Sequence, residues 1–220
     1  KLEKTLQDAE NLEWDMDKKG NYLPTTRNFC NIFRSDKELV GLIAYNEFID
    51  RTLLTRVPYW RKDLQGLTGS DVSDTDLSVI RTYIETKYGI NNEKKLNDAI
   101  TVLALDNRFH PVKEYIDSVF WDGKERVETW FIDYVKAEDN IYTREATKVM
   151  LVAAVERIFN PGCKFDNALI LVAGQGVGKS TLLDRMGSQW YTDSVGAIGT
   201  DKAYESIRGK WIVELAELAG

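Results

Sequence analysis

The chain has 220 residues, 43% of them hydrophobic, which suits a globular protein of one or two domains with an apolar core. Its formal net charge of -6 argues against a protein that sheathes duplex DNA with a uniformly basic surface, although it leaves room for a local basic site. Two cysteines and one histidine are too few for a typical zinc site, and low cysteine content is typical of a reducing cytoplasm. No window of 18 residues is continuously apolar and no signal peptide opens the sequence, so we expect no membrane partner.

The sequence of the first half of the chain predicts a helix, a linker and a domain. Apolar residues at helical spacing predict a short amphipathic helix over residues 1–12, and the polar residues 13–24 predict a linker. An α or α+β domain is predicted over residues 25–107. Its predicted elements are short strands at 42–48 and 57–60, separated by a basic turn, and helices at 76–88 and about 96–104. Gly89 is predicted to end the first of these helices.

Residues 108–162 predict a helical connector. Apolar periodicity indicates helices over residues 112–120, 127–135 and 143–159. The turn Asp122-Gly123 follows the first of them, and Asn160-Pro161-Gly162 closes the last. We interpret His110, which precedes a proline and a helix, as a structural turn residue rather than a catalytic base. Four aromatic residues lie at near-helical spacing: Trp121, Trp130, Phe131 and Tyr134. We favour packing in a core for them over a platform on which nucleic-acid bases stack.

After residue 163 the pattern changes to that of a nucleotide-binding domain. A continuous apolar run, Ala168–Val172, predicts a strand, and a glycine-rich turn and a predicted helix over Thr181–Met186 follow it. Residues 173–180 read Ala-Gly-Gln-Gly-Val-Gly-Lys-Ser, the phosphate-loop pattern with alanine at its first position. Strand, glycine turn and helix is the context that this loop requires.

Each position of this loop has a predicted role in binding ATP with Mg²⁺. Glycines tolerate the dihedral angles that turn backbone N–H groups toward phosphate oxygens, and the following helix directs its positive end at the anion. Lys179 is predicted to bridge the β- and γ-phosphates, Ser180 to ligate Mg²⁺, and Thr181 to lie near the α-phosphate. The predicted ATP-binding residues are Ala173, Gly174, Gln175, Gly176, Val177, Gly178, Lys179, Ser180 and Thr181.

A second predicted strand, Trp211–Val213, ends in an acidic residue, as a P-loop ATPase requires. Glu214 is the predicted magnesium-side acid, and Glu217 is predicted to orient or deprotonate the attacking water. The alternative for Glu217 is a solvated surface residue. The short interval between Lys179 and Glu214 leaves room for a strand at 190–192 and a helix at 202–207, and such a compact core favours small ring-forming helicase ATPases.

Five segments in this order resemble the virulence-associated protein E family of phages and mobile islands. They are His110-Pro111-Val112, Trp121-Asp122-Gly123, residues 161–166, residues 175–180 and residues 209–215. The resemblance covers about residues 28–220. It implies a truncated P-loop parallel sheet of the AAA+ or superfamily 3 helicase kind over residues 163–220. It also implies a DNA-dependent ATPase that forms a homo-oligomeric ring, binds single-stranded or duplex DNA, and acts in DNA replication in the bacterial cytoplasm.

Because the sequence begins with lysine and stops just past the acidic motif, we expect it to be a piece of a longer protein with little ATP hydrolysis of its own. The resemblance further implies that Ala168–Val172 and Trp211–Leu215 do not pair directly.

Two other functions stay open: a small-molecule kinase with the same loop, and a nucleotide-gated interaction module without turnover. A basic and aromatic patch is either a nucleic-acid contact or a solvated hairpin, and it consists of Arg51, Arg56, Tyr59, Trp60, Arg61 and Lys62.

Overall fold

In the computed structural model, helices and small sheets form a mixed α/β fold, described over residues 12–61, 69–174, 176–197 and 199–215. The chain divides into two units, residues 1–110 and 111–220. The elements of the first unit are α1 Thr26–Ser35, β1 Ile43–Asn46, β2 Arg51–Leu54, β3 Ser70–Asp71, α2 Asp74–Tyr88 and α3 Glu93–Asp106. The helix predicted over residues 1–12 falls, except for its last residue, outside the described residues.

The core of the first unit lies where α1, α2 and α3 cover a three-stranded antiparallel sheet in the order β1-β2-β3. Ile43 pairs with Leu54, and Leu53 pairs with Asp71. Because side chains alternate between the faces of a strand and recur every three or four residues on a helix, each element presents one apolar face to this core. The largest fully buried apolar side chains there are Phe29, Ile32, Leu39, Leu42, Ile43, Leu54, Ile80, Ile84 and Leu96.

Capping interactions explain where the helices of the first unit begin and end. The Ser73 hydroxyl accepts from the Asp76 N–H, and the Asp76 carboxylate accepts from the Ser73 N–H, a reciprocal capping box at the start of α2. Gly89 ends α2 with a φ of 71°, which glycine adopts without steric cost. The predicted helices over residues 76–88 and 96–104 are therefore confirmed, whereas α1 was not predicted from the sequence.

The second strand of the sheet lies earlier than predicted. A strand was expected at residues 57–60, but that segment is irregular, and β2 is Arg51–Leu54 instead. Asp50 has a φ of 57°, so the chain turns back at once after β1 and the next four residues pair with it. Pro58 has no N–H to donate to a ladder, which is consistent with the irregular course of the predicted segment.

Residues 13–24, predicted as a linker, form a turn attached to the first unit. The Asp17 carboxylate accepts from the N–H groups of Lys19 and Asn21. The buried Asn28 amide on α1 donates to the carbonyl oxygens of Asp15 and Leu23. Trp14 and Tyr22 pack on the core, so these residues belong to the packed structure of that unit.

The second unit is mostly helical with a two-stranded sheet. Its elements are α4 Pro111–Ser118, α5 Trp130–Val135, α6 Ile141–Phe159, α7 Lys179–Gly187, a 3-10 turn Ser188–Trp190, β4 Tyr191–Thr192, α8 Asp201–Ile207 and β5 Ile212–Val213. The strands β4 and β5 are parallel, with Tyr191 opposite Ile212. Apart from the strand predicted at Ala168–Val172, the helices and short strands predicted from residue 108 onward are confirmed, with ends that differ by a few residues.

The prediction of a strand at Ala168–Val172 is wrong. The segment has no ladder partner, and Ile170 and Val172 are 68% and 90% exposed. A strand requires a neighbour to accept and donate its backbone hydrogen bonds, and none adjoins it among the described residues. The expectation that this segment does not pair with Trp211–Leu215 is confirmed, because among the described residues the sheet that contains β5 has β4 as its only other strand.

None of the helices in the described part of the chain combines the length and the apolarity that crossing a membrane would require.

Candidate functional site

The glycine-rich segment leads directly into α7. Gly176 and Gly178 have φ angles of 83° and 87°, a left-handed conformation that costs glycine little and other residues more. A Cβ atom at Gly174, Gly176 or Gly178 would meet no other group within 4 Å. The glycines at 176 and 178 are therefore required for backbone conformation and not for lack of space. Gln175 lies outside the described residues.

The Lys179 side chain folds back over this loop. Its ammonium donates to the carbonyl oxygens of Ala173 at 2.9 Å and Gly174 at 3.1 Å. Lys179 and Ser180 form the first turn of α7, whose N–H groups lack partners within the helix. Val177 and Thr181 are exposed on either side of them. One cation and several backbone donors thus lie together at the end of the loop.

Ser180 and Glu214 meet although they are 34 positions apart in the chain, and the Ser180 hydroxyl donates to Oε1 of Glu214 at 2.7 Å. The backbone holds this acid in place, because the Glu214 N–H donates to the Thr192 carbonyl oxygen at 2.9 Å, directly after the β4–β5 pairing. The structure therefore groups Glu214 with Ser180, and Lys179 lies next to Ser180 in the first turn of α7. Glu217, the other predicted acid, lies outside the described residues.

Tyr191 is a member of this group that the sequence analysis missed. Its phenol donates to Oε2 of Glu214, the carboxylate oxygen that Ser180 does not use. Burial, followed by the hydrogen bond to Glu214, raises the pKa of Tyr191 above its ordinary value, so the phenol stays protonated and remains a donor. The sequence contains no local signal for this role, because it depends on the pairing of β4 with β5.

Close packing behind the site fixes these two strands. Gly187, at the end of α7, leaves so little room that a Cβ atom there would lie 2.8 Å from Tyr191 Cβ and 3.0 Å from Ile212 Cβ. The Trp211 indole N–H donates to the Ala154 carbonyl oxygen on α6 at 2.8 Å. The Trp190 ring contacts the Trp211 ring, with centroids 6.5 Å apart. The helices α6 and α7 thus both hold the sheet that positions Glu214.

Comparison with known families agrees with the sequence resemblance. Residues 116–220 match the family model of the virulence-associated protein E-like (VapE-like) domain, a range that includes every predicted site residue. On the strength of this match we refer to residues 116–220 as the VapE-like domain. No curated protein matches the chain.

The VapE-like domain offers a hydroxyl and a carboxylate as oxygen ligands for a divalent cation. The described residues contain no cluster of three or more His, Cys, Asp or Glu side chains that could hold a metal by themselves. Mg²⁺ commonly takes one or two protein ligands and completes its octahedron with phosphate oxygens and water. The pair Ser180 and Glu214 would fit that mode of binding if a nucleotide supplied the other ligands.

The basic patch outside the VapE-like domain is engaged in internal contacts. The guanidinium of Arg51 lies 3.5 Å from Asp71, that of Arg56 donates to the Glu38 carbonyl oxygen at 2.7 Å, and that of Arg61 pairs with the buried Asp76. Lys62 lies outside the described residues. These contacts favour a structural role for the patch over a nucleic-acid contact.

The four aromatic residues of the connector, for which core packing was the favoured interpretation, differ in their burial. Phe131 is buried, but Trp121 is 77% exposed and Tyr134 is also exposed. Trp121 lies on the turn after α4, where its indole N–H donates to the Lys124 carbonyl oxygen. The core interpretation is thus confirmed for Phe131 and wrong for Trp121 and Tyr134. His110 is buried, with its ring centroid 5.1 Å from that of Phe48.

Proposed function

We propose that the VapE-like domain binds ATP or ADP with Mg²⁺ through Ala173–Thr181, and that the protein is a DNA-dependent ATPase of the helicase type. The observation that carries this proposal is the 2.7 Å hydrogen bond between the Ser180 hydroxyl and the Glu214 carboxylate. The sequence predicts Ser180 as a magnesium ligand in the loop and Glu214 as the magnesium-side acid at the end of a strand. Their contact supports the assignment of both to a single metal site.

The chemistry follows from the residues that surround this contact. Backbone N–H groups at the start of α7, with the positive end of the helix, would bind phosphate oxygens. Lys179 would supply a cation to the β- and γ-phosphates, in exchange for the loop carbonyls that it contacts here. Ser180 and Glu214 would hold Mg²⁺, which supplies charge neutralisation to the phosphates when it is bound. Glu217 would orient the attacking water.

The DNA-dependent part of the proposal rests on the family resemblance. That resemblance supports an ATPase that acts in the replication of a phage or mobile element, with DNA as the partner and a homo-oligomeric ring as the active assembly.

Nucleotide binding can be tested by calorimetry with Lys179→Ala. The variant should lose about 1.5–3 kcal/mol of binding free energy, about 10- to 150-fold in affinity, because charge-assisted hydrogen bonds to the phosphates are removed. Lys164→Ala is the matched control, since Lys164 is an exposed lysine of the same unit whose ammonium lies 3.2 Å from the Asp166 carboxylate, outside the loop. Equal affinities for wild type and Lys179→Ala would refute the assignment of the loop.

Measurements of ATP turnover with and without single-stranded DNA distinguish the proposed function from its two alternatives. Stimulation of ATP hydrolysis by single-stranded DNA is expected for a helicase-type ATPase. Phosphate transfer to a small molecule, without any effect of DNA, would instead support the kinase. Nucleotide binding without turnover, even in the assembled protein, would support the nucleotide-gated interaction module.

A further inference from the structure

Tyr191 is the one described side chain of the site, apart from Ser180, that donates to the Glu214 carboxylate. The two donors approach from different elements, Ser180 from the first turn of α7 and Tyr191 from β4. Each takes a different carboxylate oxygen. Because both oxygens are engaged, the plane of the carboxylate is determined, which a single hydrogen bond would leave free to rotate.

The position of Tyr191 is itself tightly determined. Its backbone pairs with Ile212 in the parallel sheet, two residues before Glu214. Its Cβ lies against Gly187, where there is no space for even one more carbon atom. The neighbouring Trp190 ring is held between Tyr115 and Trp211. A donor that is fixed in this way can orient its acceptor at little further entropic cost.

The chemistry of a phenol suits this task. A lysine or arginine at the same place would neutralise Glu214 and compete with a cation for it, whereas a neutral phenol orients the carboxylate and leaves its charge available.

We propose that Tyr191 is a positioning residue that holds the Glu214 carboxylate in the orientation needed to bind Mg²⁺ beside Ser180. This inference rests on the proposed function of the loop. It deepens that function, because it makes the affinity for the metal, rather than the affinity for the nucleotide itself, depend on β4.

The experiment is a titration of ADP binding at increasing Mg²⁺, with a parallel titration in EDTA. Tyr191→Phe should raise the Mg²⁺ concentration at half-maximal effect by about three- to tenfold, as expected for one hydrogen bond to a charged group that is partly exposed. ADP affinity in EDTA should not change, which also shows that the variant is folded. Tyr204→Phe is the matched control, because Tyr204 is an exposed tyrosine on α8 of the same unit.

A double-mutant cycle tests whether Tyr191 acts through Glu214. In a Glu214→Gln background, the effect of Tyr191→Phe on the Mg²⁺ requirement should fall below about twofold, since the residues are in direct contact. Equal Mg²⁺ requirements in wild type and Tyr191→Phe would overturn the inference while leaving the proposed function intact. An equal loss of affinity in EDTA and in Mg²⁺, or additive effects in the cycle, would also overturn it. Absence of Mg²⁺-dependent binding in the wild type would refute the proposed function and this inference with it.

Discussion

A methyl group at Gly187 should disturb both the fold of the second unit and its candidate site. Gly187 has a φ of -80° and a ψ of -22°, ordinary right-handed values that any residue can adopt. Glycine is therefore not required there for its backbone conformation. It is required because α7 ends against β4 and β5, where a Cβ would lie 2.8 Å from Tyr191 Cβ and 3.0 Å from Ile212 Cβ.

The expected cost follows from these distances. Carbon atoms are at optimal separation at about 3.5–4.0 Å, so Gly187→Ala must move the helix or the strands by several tenths of an ångström. Overpacking of this kind typically costs about 1–3 kcal/mol. Alanine recovers up to about 1 kcal/mol through its higher helix propensity, although this position is at the end of the helix, where the gain is smaller. We therefore expect a net loss of about 1–2 kcal/mol in the free energy of unfolding.

Urea unfolding of wild type, Gly187→Ala and Glu205→Ala measures this loss. Glu205 is exposed on α8, so its replacement by alanine should change stability by less than about 0.5 kcal/mol. Because Tyr191 is the nearest neighbour of the added methyl, Gly187→Ala should also raise the Mg²⁺ requirement for nucleotide binding. A Gly187→Ala variant as stable as the wild type, with unchanged Mg²⁺ dependence, would refute the reasoning from close packing.

Three further outcomes are expected. Arg61→Met should reduce the free energy of unfolding of the first unit by about 3 kcal/mol, because the fully buried Asp76 carboxylate loses its guanidinium partner; a loss below about 1 kcal/mol in urea unfolding would contradict this. Burial alone would raise the pKa values of Asp36 and Asp76, but the hydrogen bonds that each accepts outweigh it, so both pKa values lie below the ordinary value. Their contribution to stability is therefore fully present above about pH 4 and is lost as pH falls through the lowered folded-state pKa values. The urea concentration at the unfolding midpoint should therefore decrease below about pH 4. A midpoint that stays constant down to about pH 2 would argue against this contribution. Glu214→Gln should reduce ATP turnover to near background while binding at saturating Mg²⁺ is largely retained, with Glu205→Gln as the control in the same assay; wild-type turnover in Glu214→Gln would show that the acid is misassigned.

Local signals in the sequence were sufficient for much of this protein. The helices α2 and α6 were predicted because their apolar spacing and their end signals, Gly89 and Asn160-Pro161-Gly162, involve residues close together in the chain. The loop before α7 was predicted for the same reason, since its glycines and Lys179 form a continuous motif. The hypothesis that Glu214 serves the same site as Ser180 also came from the sequence, through the apolar run that precedes an acid.

Contacts between distant residues were decided only by the tertiary structure. An apolar run forms a strand only where a partner strand is available. Ala168–Val172 was predicted as a strand but is an exposed segment with no ladder partner in the described part of the chain, whereas Arg51–Leu54 pairs with β1 after a sharp turn. Tyr191 became part of the site because β4 pairs with β5 in one register, and Gly187 lets α7 approach both strands. Register and close approach depend on how elements meet in space, and neither leaves a pattern among neighbouring residues of the chain.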